Sequence, residues 1–241
     1  MTESHLRETM PVNELASPLQ WFPPPASQAA LVEQTLRDAL TQGLPLAFPT
    51  ETYYALGGNA LSADLTAQVY RLKSRPPDKA LPLLIHGPTM LDDLAAEISP
   101  EAQRLMERFW PGPLTLVLPA RRGLPPHLAG PEGTLALRWS SSPVVEYLLA
   151  VGKVPLVGTS ANLSGEPPAL TAEEVIRAFP QGLAMVLAMG MANVFAKGTG
   201  QDLTPSQAFP PPSTLVSAVG PSLQLLRPGA IPWEALLAAL D

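Results

Sequence analysis

The amino-acid sequence predicts an α/β fold built on a sheet of mixed direction. Short apolar runs of strand length alternate with segments of helical period early in the chain, and the strand-like runs crowd together late. Of the 241 residues, 46% are apolar, enough to bury a substantial core.

Residues 1–26 read as a loose N-terminal arm ending in the stiff run Pro23-Pro24-Pro25, and residues 27–241 as the folded domain. Ser27 can cap a first helix with Leu31, Val32, Leu36, Ala39 and Leu40 at helical spacing, stopped by Gly43. Residues 44–49 (LPLAFP) form a strand-length run. Ser62 can cap the next helix, which carries Leu65, Val69 and Leu72 on one face and Arg71, Lys73 and Arg75 at its exit. Residues 81–86 (LPLLIH) read as a strand, 100–109 as a helix with Leu105 and Phe109, and 114–120 and 134–139 as strands. Ser142-Pro143 supplies an N-cap and an N1 proline for a helix to about Ala150. Residues 154–160 make a strand running into a loop, and Thr171 caps a helix through Ala178. Residues 183–189, 213–219 and 223–227 read as late strands, followed by a short helix at 232–240. The span 182–212 is expected to be a long surface excursion around one strand.

Composition narrows the function. Proline is abundant (30 residues), but the apolar content assigns it to loops on a folded chain instead of disorder. The net charge of −6 removes a global basic footprint, so any polyanion must be held locally. The absence of cysteine excludes disulfides, thiolate zinc sites, iron–sulfur clusters and cysteine nucleophiles, and 3 histidines argue against a His-rich metal site. The first residues carry both charge signs and no apolar core of a secretory signal. The most apolar stretch, residues 183–196, is shorter than the roughly 18 residues a membrane span needs. A soluble cytoplasmic protein with no membrane partner is the expectation.

P-loop, dinucleotide, zincin and nucleophile-elbow motifs are all missing. What remains are polar clusters placed just after apolar runs, the strand-exit position at which open α/β sheets bind ligands. Pro49-Thr50-Glu51-Thr52-Tyr53-Tyr54-Ala55-Leu56-Gly57 is either a site or a structural turn whose hydroxyls bond the backbone. Lys73 and Arg75, with Arg71 and Lys79 nearby, suit a polyphosphate or simply the C-terminal end of a helix. The stretch from Gly158 through Ser160 and Asn162 to Gly165 can present donors to phosphate oxygens or be an ordinary polar loop. Arg138 closes an apolar strand, where a permanent charge needs a partner, either a bound carboxylate or a structural counter-ion. Arg227 is another cation at a strand exit. His86, alone at a strand end, fits a structural role more readily than a catalytic one. Jointly these clusters describe a pocket rich in cations and hydroxyls, suited to a nucleotide and a small carboxylate.

The ordered set PTETYYALG, YRLKSRPPDKALPLLIH, FWPGPLTLVLP, LALRW, VPLVGTSANLSGEPP, PSTLVSAV and LLRPGAI resembles the YrdC-like family, over roughly residues 28–233. That resemblance implies a twisted, open mixed α/β sheet with helices on its faces around a deep, positively lined cavity, in a single-domain form without the extra C-terminal domain of longer members. It implies L-threonylcarbamoyladenylate synthesis, a nucleotidyltransferase reaction. L-threonine, bicarbonate (or CO2) and ATP are condensed, pyrophosphate is released, and separate threonylcarbamoyl-transfer machinery modifies tRNA adenosine 37. Lys73, Arg75, Ser160, Asn162 and Arg227 would hold the ATP phosphates, Lys73 and Arg75 being the catalytic pair. Thr50, Tyr54, His86, Arg138 and Ser213 would surround threonine. Mg2+ would ride on the ATP phosphates without a dedicated protein cage. Alternatives within the resemblance are a paralogue that binds RNA or nucleotide without this activity, or one that adenylates a different carbamoyl substrate. The chain departs from the family pattern at Ala55, where glycine is usual, at Trp139-Ser140-Ser141-Ser142 after Arg138, and at Ser217, where an acid is usual.

Overall fold

The computed structural model describes residues 19–24, 26–76, 80–130, 132–189 and 210–240. In chain order the elements are β1 (Leu19–Phe22), α1 (Ala29–Thr41), β2 (Leu46–Pro49), β3 (Tyr54–Asn59), α2 (Ala63–Leu72), β4 (Leu83–Leu84), α3 (Gly87–Leu94) and α4 (Pro100–Phe109). They continue with β5 (Leu114–Pro119), β6 (Thr134–Arg138), α5 (Pro143–Gly152), β7 (Leu156–Ser160), α6 (Ala172–Ala178), β8 (Met185–Met189), β9 (Thr214–Ser217), β10 (Gln224–Arg227) and α7 (Trp233–Ala238).

Local chemistry sets several boundaries. The Ser62 hydroxyl accepts from the Leu65 amide at the start of α2. Thr171 and Glu174 close a reciprocal capping box on α6, which satisfies amides that the helix itself leaves unbonded. Ser142 stands at the N-cap of α5, but its hydroxyl donates instead to the Pro49 carbonyl at 2.8 Å, tying the helix to the exit of β2. Ser27 is not the cap of α1; Gln28 is, with no side-chain bond.

Among the described residues the strands form one ten-stranded sheet in the order β1-β8-β2-β3-β7-β4-β6-β5-β9-β10. Hairpin-like neighbours such as β2 and β3 run antiparallel, while β4 with β6 and β5 with β9 run parallel through crossovers. Side-chain alternation gives each strand two faces. On β2, Leu46 and Phe48 pack with Val32, Leu36 and Leu40 of α1 and Val144, Val145 and Leu148 of α5. Ala47 turns to the opposite face, where Leu65 and Val69 of α2, Leu105 of α4 and Val175 of α6 form the larger core. Each fully buried leucine here contributes about 1.5–3 kcal/mol of transfer free energy.

Three elements depart from the sequence reading. Leu19–Phe22, assigned to the arm, form β1 and pair in parallel with β8, because backbone donors and acceptors on an edge strand accept any neighbouring extended segment. Tyr54–Asn59, whose first residues fall within the site or structural turn expected at 49–57, form β3, whose glycines disguise a strand with ladder partners on both sides. Helix α3, absent from the reading, is seeded by Pro88 and buries Leu91 and Leu94. The expected strand at 81–86 shrinks to Leu83–Leu84. Most of the excursion at 182–212 and Lys79 lie outside the described residues. Among the described residues no helix is long and apolar enough to cross a membrane.

Candidate functional site

The alternation that builds the larger core also frees the opposite face of the sheet beyond α1 and α5. On β5, Leu114, Leu116 and Leu118 enter the core and Thr115 points away; on β6, Leu135 and Leu137 enter it and Ala136 and Arg138 point away. With Gly158 of β7 and Leu215 of β9, these outward positions floor a cavity of about 460 Å³. The β2–β3 turn contributes Thr50, Thr52 and Tyr53, the stretch after α2 contributes Arg75, and Ser160, Ser213 and Arg227 complete its polar wall.

Of the residues singled out in the sequence, Thr50, Tyr54, Arg75, Arg138, Ser160, Ser213 and Arg227 line this one cavity. Lys73 and Asn162 stand just behind its wall. The Lys73 side chain is buried, and its Nζ donates to the Ser160 carbonyl, to the Asn162 carbonyl at 2.8 Å and to Asn162 Oδ1 at 3.0 Å. Ser160 Oγ donates to the same Asn162 Oδ1 at 2.6 Å. Lys73 thereby ties the α2 exit to the loop after β7. His86 is placed elsewhere: it is exposed, with its ring edge against Trp139 at 5.7 Å between centroids, and does not line the cavity. β4 stops at Leu84, Ile85 still turns into the larger core, and the following side chain, His86, faces the surface.

Burial, and then the nearby charge of Arg75, pull the Lys73 pKa down to about 8. A folded pKa below the unfolded one means that the native state binds fewer protons between those values. Relative to Lys73→Met, the wild type should therefore gain stability as pH rises through about 8 toward 10.5. Urea titrations of both proteins across that window check this; a constant difference contradicts it.

Arg138 is buried and ion-paired, so of the two readings left open by the sequence the structural counter-ion is present. Its NH2 lies 2.8 Å from Glu51 Oε1, and its Nε donates to the Gly112 carbonyl at 3.2 Å. Glu51 also accepts from Ser140 Oγ and from the Ser141 amide at 3.2 Å. Burial alone would raise the Glu51 pKa, but the Arg138 charge and these donors outweigh it and hold the carboxyl below its ordinary value. Thr50 is both a lining residue and a turn fastener, since its hydroxyl donates to the Tyr53 carbonyl at 2.7 Å and accepts from the Thr52 and Tyr53 amides.

Arg227 and Ser213, assigned by resemblance to opposite ends of the site, are in direct contact. The guanidinium donates to the Ser213 carbonyl at 2.9 Å and its hydroxyl at 3.1 Å, and that hydroxyl bonds Thr115 Oγ1 at 2.8 Å. Burial and the neighbouring Arg138 charge lower the Arg227 pKa. Thr115 went unnoticed in the sequence as a lining residue, whereas Thr52 and Tyr53 stood in the polar cluster after the 44–49 run without an assigned role. For Thr115, a polar residue alternating with three buried leucines was the available signal.

Comparison with known proteins places this geometry. The family model for Sua5, YciO and YrdC proteins, described as Telomere recombination, matches residues 38–200. A threonylcarbamoyl-AMP synthase of Pyrococcus abyssi is 35% identical over 197 residues, which are 82% of this chain and 54% of that protein. One from Vibrio cholerae is 37% identical over 163 residues, 66% of this chain and 86% of its own length. The crystal structure of P. abyssi Sua5 complexed with L-threonine superposes with a TM-score of 0.75 at 30% identity, covering 92% of this chain and 59% of that one. E. coli YciO shares the fold at 20% identity, with a TM-score of 0.73 over 90% of this chain and 98% of its own. The chain spans about half the length of the P. abyssi and Bacillus subtilis relatives that it matches.

Proposed function

The chain belongs to the Sua5, YciO and YrdC family, and from that premise we propose that it condenses L-threonine, bicarbonate (or CO2) and ATP into L-threonylcarbamoyladenylate and pyrophosphate. The observation that carries this reading is the charge of the cavity: Arg75, Arg138 and Arg227 line it, and no carboxylate does among the described residues. Such a cavity suits two anions held side by side, a triphosphate and an amino-acid carboxylate.

The chemistry asks for little covalent participation by the protein. The threonine ammonium loses a proton, the free amine adds to the carbon of CO2, and a second proton leaves the nitrogen to give the carbamate. A carbamate oxygen then attacks the α-phosphorus, the bond to the β-phosphate breaks, and pyrophosphate departs. Placing the reactants together and neutralising charge as the phosphorane-like state forms would supply most of the acceleration. Arg75, Arg227 and Ser160 would contact the phosphates, with Lys73 and Asn162 shaping that wall from behind. Thr50, Tyr54 and Ser213 would border the amino acid, and Arg138 would meet its carboxylate. Mg2+ would enter on the triphosphate oxygens, where it neutralises charge; a lining of guanidinium and hydroxyl groups suits that carriage. Delivery of the product to transfer machinery acting on tRNA adenosine 37 in the cytoplasm belongs to the same reading.

The decisive assay is pyrophosphate release from ATP and bicarbonate with and without L-threonine. Release should depend on threonine, and Arg75→Ala should lower it at least tenfold, about 1.4 kcal/mol of transition-state stabilisation. Threonine-independent release, or binding of RNA or nucleotide with no turnover, overturns the reading. An undiminished Arg75→Ala rate removes that residue from the site.

A further inference from the structure

Glu51 is used by none of the chemistry above, yet it is the acid that sits against the cavity's most buried arginine. It does not itself line the cavity. Its carboxylate is held from behind by Ser140 Oγ and the Ser141 amide, in the segment that departs from the family pattern, and from the front by Arg138 at 2.8 Å. Arg138 is pinned from a second direction through Nε to Gly112 at 3.2 Å. Its NH1 reaches Thr52 Oγ1, a cavity residue, at the long distance of 3.4 Å. One edge of the guanidinium is thus spent on protein partners and the other faces the cavity.

The charge consequence is an asymmetry along the cavity. The Arg138–Glu51 end is electroneutral. Arg227, on the same side, bonds to the neutral Ser213 and has the cation Arg138 and the phenol of Tyr53 as electrostatic neighbours. The opposite, Ser160 wall carries Arg75 with Lys73 behind it, and no carboxylate lines the cavity there among the described residues. A zwitterionic amino acid is neutral overall, whereas a triphosphate carries several negative charges. We propose that Glu51 is a positioning residue that sorts the two substrates: it orients Arg138 for a single carboxylate and cancels the charge that would otherwise draw phosphate to the amino-acid end. This deepens the proposed function and rests on it for the identity of the substrates, though the sorting of anions does not need turnover to be seen.

The test uses Glu51→Gln, which keeps the size and an acceptor oxygen but removes the charge. Pyrophosphate is titrated calorimetrically into wild type and variant. The wild type should bind one equivalent, and Glu51→Gln should bind a second, or bind competitively with L-threonine. In steady-state assays the threonine KM should rise at least tenfold while the ATP KM moves less than twofold, and Glu51→Asp should restore part of the loss. A merely structural role would move both KM values together and leave the pyrophosphate stoichiometry at one; either result overturns the inference. If Glu51→Gln does not fold, Ser140→Ala decides. Removing one donor behind the carboxylate should raise the threonine KM about threefold without changing that for ATP, and equal changes or none overturn the inference. Should the wild type show no threonine-dependent turnover, the synthase reading fails, and the pyrophosphate stoichiometry alone supports or overturns the sorting role.

Discussion

Arg138→Ala is expected to lower the unfolding free energy at neutral pH by about 3 to 5 kcal/mol, the usual consequence of breaking a buried ion pair from one side. Arg138 is 7% exposed and lies on the cavity face of β6, so its loss strands the Glu51 carboxylate paired with it. In the wild type the Arg138 charge helps hold the Glu51 pKa below its ordinary value against the opposing effect of burial. The Glu51 contribution is therefore present above the unfolded pKa and is lost as pH falls through the depressed folded value. In the variant, burial acts with less opposition and raises the folded pKa, so acidification stabilises that protein relative to its unfolded chain. The gap between the two proteins should narrow from neutral pH toward the carboxylate range. Urea denaturation at several pH values measures it, and a gap that widens on acidification refutes the account. Any folded variant should also bind threonine more weakly while keeping its affinity for ATP; an equal loss of both would move Arg138 away from the amino-acid end.

Gly57→Ala is expected to cost about 3 kcal/mol or more, because the added methyl has nowhere to go. A Cβ at this position would lie 1.6 Å from the Val157 carbonyl oxygen, and backbone cannot swing aside as a side chain can. Gly57 sits opposite Gly158 in the β3–β7 ladder, at the centre of the sheet and beside the cavity floor. Gly158→Ala is the informative control: its Cβ would meet Leu84 Cδ1 at 2.5 Å, a side chain that can change rotamer. Thermal or urea unfolding should rank Gly57→Ala well below Gly158→Ala. Equal stabilities would show that β3 and β7 can separate more easily than their pairing implies.

Elements whose signals are local were legible in the sequence. Ser62 and Thr171 cap because a hydroxyl three residues before a free amide needs no distant partner. The apolar repeat of Leu65 and Val69 on α2 found the core face as its spacing required. Elements that depend on neighbours were not. β1 exists because β8 offers it an edge, and β3 because β2 and β7 flank it. Glycine-rich β3 has no side-chain pattern that reveals either partner.

The candidate site divides in the same way. That cations and hydroxyls follow apolar strands, and that the ordered motifs match one family, could be read from residue order alone, because strand exits open toward ligands in any α/β sheet. Which cation does what could not. Arg138 proved to be held by Glu51 and Lys73 by the Ser160–Asn162 loop, contacts separated by 87 and up to 89 positions in the chain. Ser213 and Arg227 met across 14 residues, and His86 turned outward. Residue type determines which charges are available; only the packing of distant segments decides which of them are neutralised internally and which are left to face a substrate. Electrostatic partnership depends on separation in space and on burial, and sequence distance constrains neither.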